Sequence, residues 1–171
     1  MIENRPDWLP LPLDYNSYGG NWEKFVNDAY NIFLKDFYHN QTFYNKSPVD
    51  FDKTEHNGKY EGFWHITQGQ DKEDVPPDEL LRRTERISWP SPIIKNYNDP
   101  LVKIWQNKRG RIRKILFWLE TIENLGYVVV MRIKKDGGYF LETSYPTHWK
   151  STRKRFLDEY NEYLKSSKRR P

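Results

Sequence analysis

Ile112-Arg-Lys-Ile-Leu-Phe-Trp-Leu119, Tyr127-Val-Val-Val-Met-Arg-Ile133 and Tyr139-Phe-Leu-Glu-Thr-Ser-Tyr145 decide the fold. β-Branched and aromatic residues fill the second and third segments, as they fill pleated, half-buried strands. Lys135-Asp136-Gly137-Gly138 between them reads as a hairpin turn. The first segment fits helix or strand by pattern. The length of its apolar run, its aromatics and the preceding Gly110 favour a strand.

Outward from this meander the signals are mixed. Asn21 can cap a helix over 22–38, where Trp22, Phe25, Val26, Ala29, Phe33 and Phe37 recur at helical spacing. Residues 39–58 read as a polar loop. Lys59 to Gln68 is rich in rings and β-branched residues, which predicts a strand over 60–67 with Glu61, Phe63, His65 and Thr67 on one face. Residues 69–78 form an acidic, proline-bearing loop. Asp78 would cap a short helix over 79–85. Pro90 and Pro92 exclude regular structure from 87–94. Asp99-Pro100 signals a short helix through Leu101, Ile104 and Trp105, ending near Gly110. Phe156, Leu157, Tyr160, Tyr163 and Leu164 place a closing helix over 153–164. The expected fold is α+β: N-terminal helices packed on a four-stranded antiparallel sheet, with a C-terminal helix. Its 171 residues make one domain the default, with an irregular lead-in over 1–20 and a basic tail over 165–171.

Composition narrows the function. The chain holds 7 Trp, 12 Tyr and 9 Phe but only 36% hydrophobic residues, so large rings must build the core. It has no cysteine, which excludes disulfides, thiol nucleophiles and thiolate metal sites. No apolar run approaches the roughly 18 residues of a membrane span. The N-terminus has no stretch like that of a signal peptide, so a cytoplasmic location is expected. The net charge of +4 hides a division. Residues 1–80 carry 7 Lys+Arg against 15 Asp+Glu, whereas residues 81–171 carry 21 against 9. A polyanion-binding face, an acidic partner or both would follow from such asymmetry. The alternative is that the two halves neutralise each other in the folded state.

No phosphate-binding glycine loop, dinucleotide fingerprint or His-Glu-x-x-His pattern occurs. The four histidines, at 39, 56, 65 and 148, lack metal-ligand spacing, so neither metal nor cofactor is expected. A different set suits metal-free cleavage of RNA. That reaction needs a base for the ribose 2′-OH, an acid for the leaving 5′-oxygen, and cations for the phosphorane. His65 and Glu61 could exchange the protons, because histidine titrates near neutral pH. Arg83 and Arg86 offer the planar fork that binds two phosphate oxygens. Lys108, Arg109, Arg111, Arg113 and Lys114 form a basic run, and Thr143, Ser144 and Tyr145 supply hydroxyls. Each also has a bland alternative: a structural strand histidine, a solvated helix face, a solubility feature, a β-former.

Gly62-Phe63-Trp64-His65-Ile66, then Arg83-Thr84-Glu85-Arg86-Ile87-Ser88-Trp89, the basic segment, the strands from Ile115 and Tyr127, and Glu142-Thr143-Ser144-Tyr145-Pro146 recur in order. Together this half of the chain resembles the phage- and toxin-associated nucleases of the barnase, EndoU, colicin and RelE-like (BECR) superfamily. The resemblance implies a helical part on a four-stranded antiparallel sheet and metal-independent endoribonuclease activity that yields a 2′,3′-cyclic phosphate. It also implies a toxin acting on tRNA or mRNA, with a cognate antitoxin or immunity protein as partner. Carried over, the catalytic residues are His65, Arg86 (or Arg83), Thr143 and Tyr145, and the reading of the residues adds Glu61 as the acid–base partner of His65. Arg83, Lys108, Arg109, Arg111, Arg113 and Ser144 would bind substrate. The chain departs from the pattern at Glu142 and Ser144, where apolar residues would fit. Two rivals use the same residues differently. One is a non-catalytic nucleic-acid-binding module of a phage or mobile element. The other is an antitoxin-like or inhibitor adaptor whose acidic half binds a basic partner.

Overall fold

The computed structural model describes residues 5–69, 75–120 and 126–168. The three-strand meander forms as the sequence predicts: β6 (Ile112–Leu119), β7 (Gly126–Ile133) and β8 (Tyr139–Thr147) pair antiparallel. The β7–β8 turn closes on Gly137 at φ 84°, with Lys134 N donating to the Gly138 carbonyl at 2.8 Å. A bulge breaks the register, since Val130 faces Thr143 while Met131 faces Leu141. Glu142 is the extra residue, and it reaches the same cavity as its neighbour Thr143.

The remaining sheet departs from expectation. The expected fourth strand, 60–67, is the helix α2 (Glu61–Thr67). Phe63, Ile66 and Thr67 are buried at i, i+3 and i+4, and this helical face prevails over the strand propensity of the rings. The expected helix after Asp99-Pro100 is instead the strand β5 (Val102–Arg109), paired antiparallel along all of β6. Asp99 caps a turn there, accepting from Leu101 N at 2.9 Å and from Trp8 Nε1 at 2.7 Å. Adjacent Ile104 and Trp105 then pack on opposite faces of the sheet. Gly110, at φ 60°, makes the two-residue β5–β6 turn possible.

Within 39–58, expected to be a loop, lie β1 (Phe43–Tyr44), β2 (Ser47–Asp50) and β3 (Glu55–His56). β3 pairs with β4 (Lys59–Tyr60). β2 adds to β8 in parallel and β1 follows it, so the sheet has six strands in mixed order, β1-β2-β8-β7-β6-β5, rather than four antiparallel ones.

The helical expectations fare better. α1 (Trp22–Leu34) starts where predicted, with the Asn21 side chain accepting from Lys24 N. A π-helical turn (Lys35–His39) extends it. α3 (Pro77–Glu85) begins two residues early, on Pro77. α4 (Pro90–Lys95) forms despite its prolines, because Pro90 and Pro92 occupy the first turn, where backbone N–H groups have no intrahelical acceptor to lose. α5 (Lys150–Lys168) outruns its predicted limits and takes in Lys165–Lys168 of the expected tail. Tail residues 169–171, lead-in residues 1–4 and loop residues 70–74 lie outside the described residues.

One face of the sheet packs on the N-terminal helices through Phe117, Tyr127, Val129, Phe33, Phe63 and Ile93. The other face packs on α5 through Trp105, Trp118, Val128 and Phe156. Large rings and aliphatic side chains share both cores, Phe33, Phe63 and Phe117 packing with Ile66, Ile93 and Leu141 in the first and Trp105, Trp118 and Phe156 with Leu116 and Val128 in the second. Among the described residues, no helix is long and apolar enough to cross a membrane.

Tyr127 shows what this burial does to an ionisable ring. Its hydroxyl meets Ser144 Oγ at 2.9 Å inside the first core. Burial pushes the phenol up to about 12. An unfolded tyrosine ionises near pH 10. Between those values the unfolded chain loses a proton that the folded chain keeps, so stability falls as pH rises. A loss of roughly 2 kcal/mol is expected across pH 10–12. Thermal melts across that range should show the decline in wild type, and a shallower one in Tyr127→Phe.

Candidate functional site

A cleft of about 250 Å³ opens on the α5 face of the sheet. The sheet supplies its floor: Asn107 and Arg109 from β5, Lys114 and Leu116 from β6, Val130 from β7, and Glu142, Thr143 and Tyr145 from β8. Arg155, Phe156 and Glu159 of α5 form one wall. Gly69, after α2, and Arg83 of α3 form the other. The bulge at Glu142 matters here. Alternation alone would turn Glu142 and Thr143 to opposite faces, and the extra residue brings both to the cleft.

Four cations line it against two carboxylates, and both carboxylates are occupied. Lys114 Nζ sits 2.6 Å from Glu142 Oε2. Glu159 accepts from Trp105 Nε1 at 2.9 Å and from Asn107 Nδ2 at 3.4 Å. Arg83 donates its Nε to Glu79 at 3.1 Å, and its guanidinium lies 5.2 Å over the Tyr145 ring. Burial raises the Tyr145 hydroxyl above its usual range, so at neutral pH it is a proton donor. Arg109 forms no ion pair among the described residues. Nor do Lys108, Arg111 and Arg113, which stand exposed on the adjoining β5–β6 hairpin.

The expected site residues divide around this cleft. Arg83, Arg109, Thr143 and Tyr145 line it. Lys108 and Arg113 line a neighbouring cavity with Asn107 and Tyr163, and Arg111 lies at the hairpin turn between Arg109 and Arg113. His65 is on α2 rather than on a strand, and its ring pairs with Glu61, Nε2 to Oε2 at 3.8 Å. Neither of these two side chains is among the cleft-lining groups. Thr143 still links the two places, because its hydroxyl donates to the His65 carbonyl at 2.8 Å.

Arg86 is elsewhere. It donates to the Arg82 carbonyl at 2.9 Å, pairs with Glu85 at 3.8 Å and lies over Trp89, and burial lowers its pKa. Ser144 is fully buried against Tyr127.

Asn107, Glu142, Arg155 and Glu159 are cleft residues that the sequence did not single out. Arg155 and Glu159 stand four residues apart on the closing helix, a spacing that puts them on one face. Glu142 shows in the sequence only as a carboxylate where the strand pattern wants an apolar residue. Nothing local marks Asn107. Among the described residues, no group of three or more His, Asp or Glu side chains could hold a metal ion. No protein-family model, curated protein or solved structure matches this chain.

Proposed function

We propose that this chain binds RNA through the α5-face cleft and the basic hairpin beside it. The observation that carries this is the run of cations without ion-pair partners among the described residues: Lys108, Arg109, Arg111 and Arg113 on one hairpin, continuous with a cleft whose own carboxylates are taken. Unpaired cations on rigid strands suit a polyanion, since they gain charge partners without first breaking any. Arg83 and Tyr145 add a guanidinium fork and a phenol donor inside the cleft, which suits phosphate oxygens.

The Glu61–His65 pair favours a second reading, metal-independent endoribonuclease action of the toxin type. The 2′-oxygen would attack phosphorus as a base takes its proton. The 5′-oxygen would leave carrying a proton from the acid, and the product would be a 2′,3′-cyclic phosphate. An acidic antitoxin would then inhibit by covering the hairpin.

One assay tests both. Purified protein is incubated with total RNA and EDTA, then resolved by native and by denaturing electrophoresis. Retarded RNA that is released by added salt supports binding. Absence of retardation at low salt rejects it. Cleavage that falls by about a hundredfold or more in His65→Ala supports the second reading. That variant keeps the Thr143 bond, which uses the His65 backbone carbonyl. Intact RNA in wild type, or undiminished cleavage by the variant, removes catalysis and leaves binding to stand alone.

A further inference from the structure

Trp149 is 66% exposed, between β8 and α5. The other six tryptophans each donate a hydrogen bond or pack on neighbouring rings. The indoles of Trp8, Trp64, Trp89, Trp105 and Trp118 each donate to a named acceptor. Trp22 packs on Tyr15 and Phe25. Among the described residues Trp149 Nε1 has no acceptor, and the ring beside it is His148, at 4.9 Å and 40°.

Its place is not isolated from the cleft. His148 Nε2 lies 4.0 Å from Glu79 Oε2. Glu79 Oε1 accepts from Arg83, and Arg83 caps Tyr145 inside the cleft. Arg82 reaches His148 from the same helix at 3.5 Å, and exposed Lys150 follows Trp149 in the chain. An exposed indole thus stands at the end of a line of contacts that begins in the cleft, with cations beside it.

We propose that Trp149 is a stacking platform for an unpaired base, and that the nucleic acid taken by the cleft is therefore single-stranded. This rests on the cleft being an RNA site. The physical grounds are separate from those for charge. A ring face can be stacked by a base only if that base is not already covered by its neighbours in a duplex. Every base has such a face, so the contact is sequence-tolerant. Arg82 and Lys150 then meet the phosphates flanking the stacked base. A protein partner would want a contiguous apolar patch, whereas the groups placed beside Trp149 are His148, its chain neighbour Lys150 and, through His148, Arg82.

The test uses fluorescence anisotropy with labelled single-stranded oligoadenylate and with its duplex on oligouridylate. Wild type is expected to prefer the single strand. Trp149→Ala should weaken single-strand binding about tenfold and leave duplex binding unchanged, while Trp149→Phe should stay within about threefold of wild type. Loss of the ring should not unfold the chain, because the ring is exposed and makes no hydrogen bond, and a circular-dichroism melt checks this. Unchanged single-strand affinity in Trp149→Ala, or equal loss on both probes, overturns the stacking role but leaves the cleft as an RNA site. If wild type binds neither probe at low salt, both proposals fall. A wild-type dimer in the ultracentrifuge that Trp149→Ala dissolves, with RNA affinity unchanged, would assign the ring to a protein interface and overturn the inference.

Discussion

Replacing Lys108, Arg109, Arg111 and Arg113 together with glutamine is expected to lower single-stranded RNA affinity by about two to three orders of magnitude at about 0.1 M salt. The magnitude follows from counterion release. Each phosphate neutralised on a single strand contributes roughly 0.7 to the slope of log affinity against log salt. Four lost contacts flatten that slope by about 3, so the loss is largest at low salt and vanishes towards about 1 M. All four side chains are exposed and none has a charge partner among the described residues. The substitutions therefore break no internal bond, and the strand pairing of Lys108 with Arg113 uses the backbone. Binding isotherms for both proteins across a salt series decide the matter. Parallel slopes for wild type and variant would remove the hairpin from the interface. A flattened slope with a retained residual affinity would measure what the cleft contributes by itself.

Phe33→Ala is expected to destabilise the fold by about 3–5 kcal/mol, the usual cost of truncating a core phenylalanine to alanine. Phe33 is fully buried on α1, where the N-terminal helices meet the sheet. Its ring meets Phe51 edge-on at 4.9 Å, Phe37 at 5.5 Å, Phe63 at 5.9 Å and Tyr30 at 6.3 Å. The truncation thus removes transfer energy, leaves a cavity and ends several oriented ring contacts at once. The rings around it are held by their own contacts, so little collapse can relieve the space. At this chain length the loss corresponds to roughly 6–20 °C in melting temperature. Differential scanning calorimetry reads it directly. A shift of a degree or two would mean that Phe33 is not at the centre of the core.

The candidate site was half legible. Arg83, Arg109, Thr143 and Tyr145 stand out by residue type and strand position, and they converge on one cleft. Arg86 stands out just as strongly, three residues beyond Arg83. On a helix that ends at Glu85, those three residues separate a cleft side chain from a buried one. Ser144 follows Thr143 directly, yet its side chain turns into the core because strand neighbours alternate. Glu142 escapes the same alternation through a bulge that local pattern does not announce.

The sequence by itself determined the meander of β6, β7 and β8, the extent of α1 and the existence of α3 and α5. In β7, β8 and the helices, local propensity, spacing and turn chemistry agree, whereas the pattern of β6 fits helix or strand and its apolar length, its rings and the preceding Gly110 tip it to a strand. It also determined where the basic run lies, because Lys108, Arg109, Arg111 and Arg113 fall within six residues of the chain. Tertiary structure decided the rest. Residues 60–67 suit a strand by composition, but burial of Phe63 and Ile66 under the sheet makes them a helix. Residues 102–109 could begin a helix after Asp99-Pro100, but a full ladder to β6 satisfies their backbone and sends Ile104 and Trp105 into separate cores. The parallel docking of β2 on β8 joins residues about ninety positions apart. Such pairings are chosen by the edge and the buried face they cover, and neither exists until the chain has folded.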